Sequence, residues 1–202
     1  DMHSPGVEVR PLRQITGDPE FNEIFFTDVR VPRDSILGQP GDGWNVAMTT
    51  LLHERGTLGF ALTAGLEKAV NRLVQLAKEP GPDGTRPADD PVVRDQIAQF
   101  WIDLQGLRFT NYRALTALQK TGVPGPEGSM AKLHWSETNQ RLTSFAQSLL
   151  GLTSQLDAEG AWWDGFWTYM QLRSRGNTIE AGTSEILRNI IAERVVGLPK
   201  SR

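Results

Sequence analysis

Apolar residues recur at three- and four-residue intervals between about residues 44 and 78, through Val46, Leu51, Leu58, Leu62, Leu66, Val70, Leu73 and Leu76. That spacing predicts one long amphipathic helix. Asp42 stands where an N-cap would, and Pro80-Gly81-Pro82-Asp83-Gly84 stops the run. A second helix opens with Asp90 as cap and Pro91 at its first position. It carries Ile97, Trp101, Leu104, Leu107 and Leu115 and ends near Lys120, before Gly122 and Pro124. The third covers about residues 127–150, with Met130, Leu133, Leu142, Phe145 and Leu149 as its apolar set. A shorter aromatic segment, residues 161–172, and a last helix, residues 184–196 closed by Gly197 and Pro199, complete the helical part. Ahead of them the period changes: residues 7–14 and 21–32 are rich in β-branched and aromatic side chains that partly alternate with polar ones, and read as strands.

Long antiparallel helices with short connections predict a mainly α fold, a four-helix up-down bundle. Two strands alone are marginally stable in water, so these read as the last strands of a sheet whose remainder is not in this chain. The expected division is 1–36 for the end of a β-domain and 37–202 for the helical bundle. The chain itself then reads as a fragment or half of a longer protein, inactive alone.

Composition narrows the chemistry. A formal charge of -3 with both signs interspersed offers no basic stripe for nucleic acid and no polybasic membrane patch. There is no cysteine, which removes disulfides, thiolate metal sites and cysteine nucleophiles. His3, His53 and His134 are too few and too scattered for a histidine-built metal centre, so no metal is expected. No apolar run approaches the roughly 20 residues of a membrane span, and no leader pattern opens the chain. A soluble, cytoplasmic protein is the expectation.

Three segments resemble the acyl-CoA dehydrogenase family. The first is Phe21-Asn22-Glu23-Ile24-Phe25-Phe26-Thr27-Asp28-Val29-Arg30-Val31-Pro32 followed by Gly43-Trp44-Asn45-Val46-Ala47, similar to that family's passage from its middle β-domain into its C-terminal bundle. The second is Gly128-Ser129-Met130-Ala131-Lys132-Leu133. The third is Ala181-Gly182-Thr183-Ser184-Glu185-Ile186-Leu187-Arg188-Asn189-Ile190-Ile191-Ala192-Glu193-Arg194, close to the C-terminal signature. Together they run along nearly the whole chain. The resemblance implies FAD as cofactor, an acyl-CoA thioester as substrate, electron-transfer flavoprotein as electron acceptor, and a homo-oligomer, dimer or tetramer, or a heteromer.

Taking hydrogen from a saturated thioester requires a base at the α-carbon and a hydride acceptor at the β-carbon. No side chain accepts hydride, so a flavin supplies that half. The base is a carboxylate in many members, directly before the Gly-Thr of the signature, where this sequence has Ala181. Glu180 is one residue early and points elsewhere. Isovaleryl- and long-chain-specific members are similar in placing the base on the first bundle helix within a Glu-Arg pair, which here corresponds to His53-Glu54-Arg55. By resemblance, then, Glu54 is the base, and the main-chain N–H of Ala181 donates to the thioester carbonyl. Arg55 and Gly182 belong with the substrate. Without the resemblance, Glu54 reads as a solvated helix residue beside Arg55, and Glu180 as a loop carboxylate.

For the cofactor, Thr183 and Glu185 match positions where the family's Thr and Gln touch the flavin nucleotide. Gln147 and Gly151 fit its Gln-x-x-Gly-Gly contact, with Leu150 in place of the first Gly. Arg86 stands where many members hold a neighbouring subunit's FAD pyrophosphate, but Pro87 and Ala88 follow it instead of Phe-Gly. The cluster Trp162, Trp163, Phe166, Trp167 and Tyr169 reads as bundle core or subunit interface. Two other functions share this scaffold: a non-catalytic partner subunit of a heteromer, and an oxidase or monooxygenase.

Overall fold

The structure is a computed structural model describing residues 1–81, 84–156 and 162–200, with the side chains of residues 52–57 and 162 outside that description. The chain divides into two compact units, Asp1–Thr50 and Leu51–Arg202.

In the first unit, β1 (Val7–Leu12) and β2 (Phe21–Phe26) form an antiparallel pair running from Val7 opposite Phe26 to Leu12 opposite Phe21. Both are shorter than the polarity pattern predicts, for local reasons. Gly17 donates to the Gln14 carbonyl at 2.9 Å, which turns the chain after β1. Asp28 adopts φ 52°, a left-handed conformation that ends the extended run soon after Phe26. Every residue of β2 is exposed, so the pair has no buried side of its own. The Arg10 guanidinium lies 4.5 Å from the Phe25 ring centre, a cation–π contact on that open surface.

Among the described residues five α-helices follow: α1 (Gly43–Lys78), α2 (Pro91–Thr121), α3 (Glu127–Leu150), α4 (Phe166–Asn177) and α5 (Ser184–Ile191). The boundary between the two units falls inside α1. Its first turn forms as the Asp42 carbonyl accepts from Val46 N–H at 3.1 Å. The Asp90 side chain caps α2 by accepting from Val92 N–H at 2.8 Å, with Pro91 behind it. Gly122 closes the same helix at φ 71°, its N–H returning to the Leu118 carbonyl.

Cross-helix pairs give the directions. Thr63 meets Asn111, and Glu67 meets Arg108, so α1 and α2 are antiparallel. Phe100 meets Phe145 and Arg113 meets Glu127, so α3 turns back again. Asn139 meets Asn177 and Gln140 meets Ser174, which reverses α4 in its turn. The fold is the expected mainly α, up-down helical bundle. Its core takes Leu66, Leu73 and Leu76 from α1, Phe100, Leu104 and Leu107 from α2, Leu142 and Ala146 from α3 and Trp167 from α4, each at most 1% exposed. Each such side chain contributes about 1.5–3 kcal/mol by leaving water.

The apolar pattern and the core do not coincide everywhere. Trp101, at 45% exposure, and Leu115, at 40%, lie outside, and Phe100 takes the place expected of Trp101. The apolar positions of α2 wrap around the helix, and among the described residues those buried are Val93, Phe100, Leu104 and Leu107. The aromatic segment also starts later than its composition predicts. Trp163 and Asp164 have φ 60° and 49°, and no α-helix runs through two left-handed residues, so α4 begins at Phe166 and continues to Asn177. The last helix is α-helical only to Ile191, after which Ala192–Val196 widens into a π turn closed by Gly197 at φ 79°. Trp163, Phe166 and Trp167 pack together, with ring centres 6.2 and 5.1 Å from Trp167. They belong to the bundle core, as the plainer sequence reading has it. The indole of Trp163 donates to Glu79 at 2.9 Å.

Candidate active site

The turn between α4 and α5 is where the signature residues gather. Ile179 and Glu180 N–H both donate to the Gly176 carbonyl at 3.0 Å, which bends the chain out of α4. Ala181 (φ 52°) and Gly182 (φ 101°) then take left-handed conformations. A non-glycine residue there carries strain of about 1–2 kcal/mol. Thr183 resets the chain as the N-cap of α5, its hydroxyl accepting from Ile186 N–H at 3.3 Å.

Glu180 is fully engaged in this turn. Its Oε2 accepts from Arg173 at 3.0 Å and its Oε1 from Asn177 Nδ2 at 2.7 Å. Asn177, only 4% exposed, accepts in turn from Asn139 on α3 at 2.8 Å. A carboxylate held by an arginine and a buried amide acts as a structural tie between α4 and the turn. On the other side of the turn, the Lys132 ammonium donates to the Gly182 carbonyl at 2.7 Å from a residue only 3% exposed.

Thr183, Ser184 and Glu185 open onto a groove of about 520 Å³ shared with Glu137, Gln140 and Arg188. Arg188 pairs there with Glu137 at 2.5 Å. The backbone N–H of Glu185, the Thr183 hydroxyl and the Arg188 charge hold the exposed Glu185 carboxyl below the usual glutamate range. Ser184 is 5% exposed, and its Oγ has no partner among the described residues. Elsewhere on α3 the buried Nε2 of Gln147 also lacks one. Gly151, the C-cap of α3, donates its N–H to the Gln147 carbonyl, so these two predicted residues are neighbours. Arg86 is an exposed residue at the start of the 3-10 turn Pro87–Asp89. None of Gln147, Gly151 and Arg86 lines the Thr183–Glu185 groove.

Glu54 and Arg55 belong to α1, but their side chains lie outside the described residues. Just beyond them, Asn111 leans against α1 where Gly59 has no side chain, donating to Gly59 O at 2.9 Å and Thr63 Oγ1 at 2.7 Å. A cavity of about 150 Å³ opens beside this contact.

Sequence reasoning missed the residues that hold the turn: Lys132, Asn139, Arg173 and Asn177. The signal was present. Ser129, Lys132, Ser136, Asn139 and Thr143 recur at core spacing along α3, and all five are buried. A helix packed on two sides buries both its apolar and its polar stripe.

The family profile described as the acyl-CoA dehydrogenase C-terminal domain matches residues 41–196. The chain belongs to the acyl-CoA dehydrogenase family. Among its relatives in that family, acyl-CoA dehydrogenase IpdE1 of Mycolicibacterium smegmatis is 42% identical over 201 residues, which is 98% of this chain and 48% of that protein. Acyl-CoA dehydrogenase FadE34 of Mycobacterium tuberculosis is 31% identical over 200 residues, 99% of this chain and 26% of that protein. Of solved structures, the ChsE4-ChsE5 complex from Mycobacterium tuberculosis aligns at a TM-score of 0.82 and 25% identity, covering 99% of this chain and 52% of that one. The chain spans about half the length of the IpdE1 proteins it matches. Among the described residues no helix is long and apolar enough to cross a membrane.

Proposed function

We propose that this acyl-CoA dehydrogenase chain is the C-terminal part of an enzyme that converts an acyl-CoA thioester to its 2-enoyl-CoA, with Glu54 removing the α-proton. The single observation that carries this assignment is the occupation of Glu180. Both of its oxygens are taken by Arg173 and Asn177. With Ala181 at the signature position and Glu180 committed to Arg173 and Asn177, the family's second location, Glu54 on α1, takes the role.

The turn keeps the rest of its function. The Ala181 N–H donates to the thioester oxygen, a role indifferent to the side chain and dependent on a fixed backbone. Gly182 lets the acyl thioester approach that backbone closely, and Arg55 is assigned to the substrate with it, as the family resemblance implies. Two buried atoms support a polar cofactor at or beside the assigned contacts: Nε2 of Gln147, and the Oγ of Ser184 next to Thr183, both without a partner among the described residues. Gln147, Gly151, Thr183 and Arg86 would hold FAD, with Glu185 facing a hydroxyl or an amide of it rather than a phosphate. When bound, FAD supplies the acceptor for the β-hydride and passes the electrons on to electron-transfer flavoprotein. The exposed aromatics of α2 and α1, Trp101, Phe109, Tyr112 and Phe60, support assembly with further chains.

A heteromeric setting has a specific observation in its favour. The Phe-Gly expected after Arg86 is replaced by Pro87 and Ala88, and Arg94 ties that segment down by donating to the Ala88 and Asp89 carbonyls at 2.8 and 2.9 Å. In the related structure two different chains, ChsE4 and ChsE5, form a complex.

Anaerobic bleaching of the flavin in the full-length protein by a panel of acyl-CoA thioesters tests the assignment. Glu54→Gln is expected to slow bleaching by about 10²–10⁴-fold, the usual contribution of a general base. Glu180→Gln should bleach at near the wild-type rate. Loss of bleaching in Glu180→Gln alone would overturn the assignment, and the absence of bleaching with every thioester in the wild type would favour a non-catalytic partner subunit.

A further inference from the structure

A lysine that is 3% exposed is an expensive residue to place in a bundle core, since an ammonium is rarely buried without fixed oxygens around it. Lys132 is there, on α3, with its Nζ 2.7 Å from the Gly182 carbonyl. The place it reaches is specific. Upstream, the turn is fixed at Glu180 by the Gly176 carbonyl, Arg173 and Asn177. Downstream, Ser184 N–H donates to the Thr178 carbonyl at 3.0 Å, and Thr183 caps α5. Between these anchors lie Ala181 and Gly182, with φ of 52° and 101°. Left alone, two consecutive left-handed residues relax easily, because Gly182 has many accessible conformations and Ala181 is strained. From outside the turn, the Lys132 ammonium reaches this pair with a hydrogen bond to the Gly182 carbonyl.

We propose that Lys132 is a positioning residue for the reaction. By holding the Gly182 carbonyl, its buried ammonium fixes the left-handed bend and so aims the Ala181 N–H at the thioester oxygen. The inference rests on the reading of Ala181 N–H as the thioester's donor. A hydrogen-bond donor stabilises a developing oxyanion in proportion to how well it is held before the reaction. Glu180 and Gly182 pin the two ends of the bend, and the Ala181 N–H belongs to the peptide between Glu180 and Ala181. Freeing Gly182 therefore frees the donor. The ammonium also places positive charge beside the bend in a buried setting, where charges are weakly screened.

The test uses the complete flavoenzyme, with any partner subunit, and a 3-thiaacyl-CoA. The α-proton of this probe is removable, but the probe is not dehydrogenated, and its bound enolate gives a long-wavelength charge-transfer band with the flavin. In Lys132→Met the enolate-to-thioester ratio at fixed pH is expected to fall about tenfold to a hundredfold, somewhat less than loss of a whole oxyanion donor. The kcat for a true substrate should fall by a similar factor, with KM within about threefold, because ground-state binding is largely untouched. Lys132→Gln gives the same reading if the methionine variant does not fold. An enolate ratio equal to wild type in a folded variant, whatever its loss of stability, would overturn the inference and leave Lys132 a structural anchor. If wild type forms no enolate, or Glu54→Gln still forms it, the underlying reading fails instead, independently of Lys132.

Discussion

Asn177 joins α4 to both α3 and the signature turn, and its removal has a calculable cost. In Asn177→Ala the Asn139 amide, 6% exposed, loses the acceptor it now has at 2.8 Å. A buried donor left without a partner costs about 1–3 kcal/mol. Glu180 loses its 2.7 Å bond from Asn177 but keeps Arg173 at 3.0 Å. Its side chain is 31% exposed, so water replaces the lost donor and little is added to the cost. The expected destabilisation is about 2 kcal/mol, nearly all of it from Asn139. Urea unfolding followed by the fluorescence of the core, where Trp167 is 1% exposed, reads this directly. With a urea dependence of about 2 kcal/mol per molar, the midpoint should fall by about 1 M. Asn139→Ala/Asn177→Ala should then cost less than the two single changes together, by about 1–2 kcal/mol, because the second deletion removes the orphan left by the first. Additive costs, or a midpoint shift in Asn177→Ala under about 0.2 M, would refute the claim that this amide pair is what holds the seam.

The α1–α2 contact and the start of α5 can each be tested as well. Gly59→Ala would set a methyl group on the Asn111 carboxamide, which is anchored by two bonds to α1, so either the carboxamide gives up those bonds or the helices part. A loss of about 1–3 kcal/mol is expected, and Gly59→Ala/Asn111→Ala should recover most of it in the same unfolding assay. Glu185 should titrate below the usual glutamate range when followed by carboxyl carbon NMR. A depressed folded value means its stabilising contribution is complete at neutral pH, declines as pH falls into the ordinary glutamate range, where the unfolded chain takes up its proton, and is gone below the folded value, and Glu185→Gln should abolish that portion of the acid sensitivity.

The helices were legible where local chemistry decides them. Asp90 and Pro91 start α2 and Gly122 ends it, as caps that need no knowledge of the rest of the chain. The left-handed run at Trp163 and Asp164 was not legible, because Trp does not favour positive φ and Asp adopts it only occasionally. Packing of Trp163 on Trp167 and its bond to Glu79 set it there. Within the site, the departure at Ala181 and the motif residues were visible by spacing. That Glu180 is a tie and that Lys132 reaches Gly182 depends on contacts between residues far apart in the chain, and polar residues on a helix ordinarily read as its wet side.

The seam between α3 and α4 differs in kind from the leucine-filled contact of α1 with α2. Leucines such as Leu66, Leu73, Leu104 and Leu107 offer similar surfaces turn after turn. Amides and hydroxyls do not. Asn139 to Asn177, Gln140 to Ser174 and Thr178, Thr143 to Ser174 and Ser144 to Gln171 act like the pins of a lock, accepting one alignment. A slip of one helical turn, about 5.4 Å, would leave most of them facing carbon. The helix pair is therefore keyed to one register, and that register sets where Asn177 and Glu180 stand and so where the bend that carries Ala181 begins.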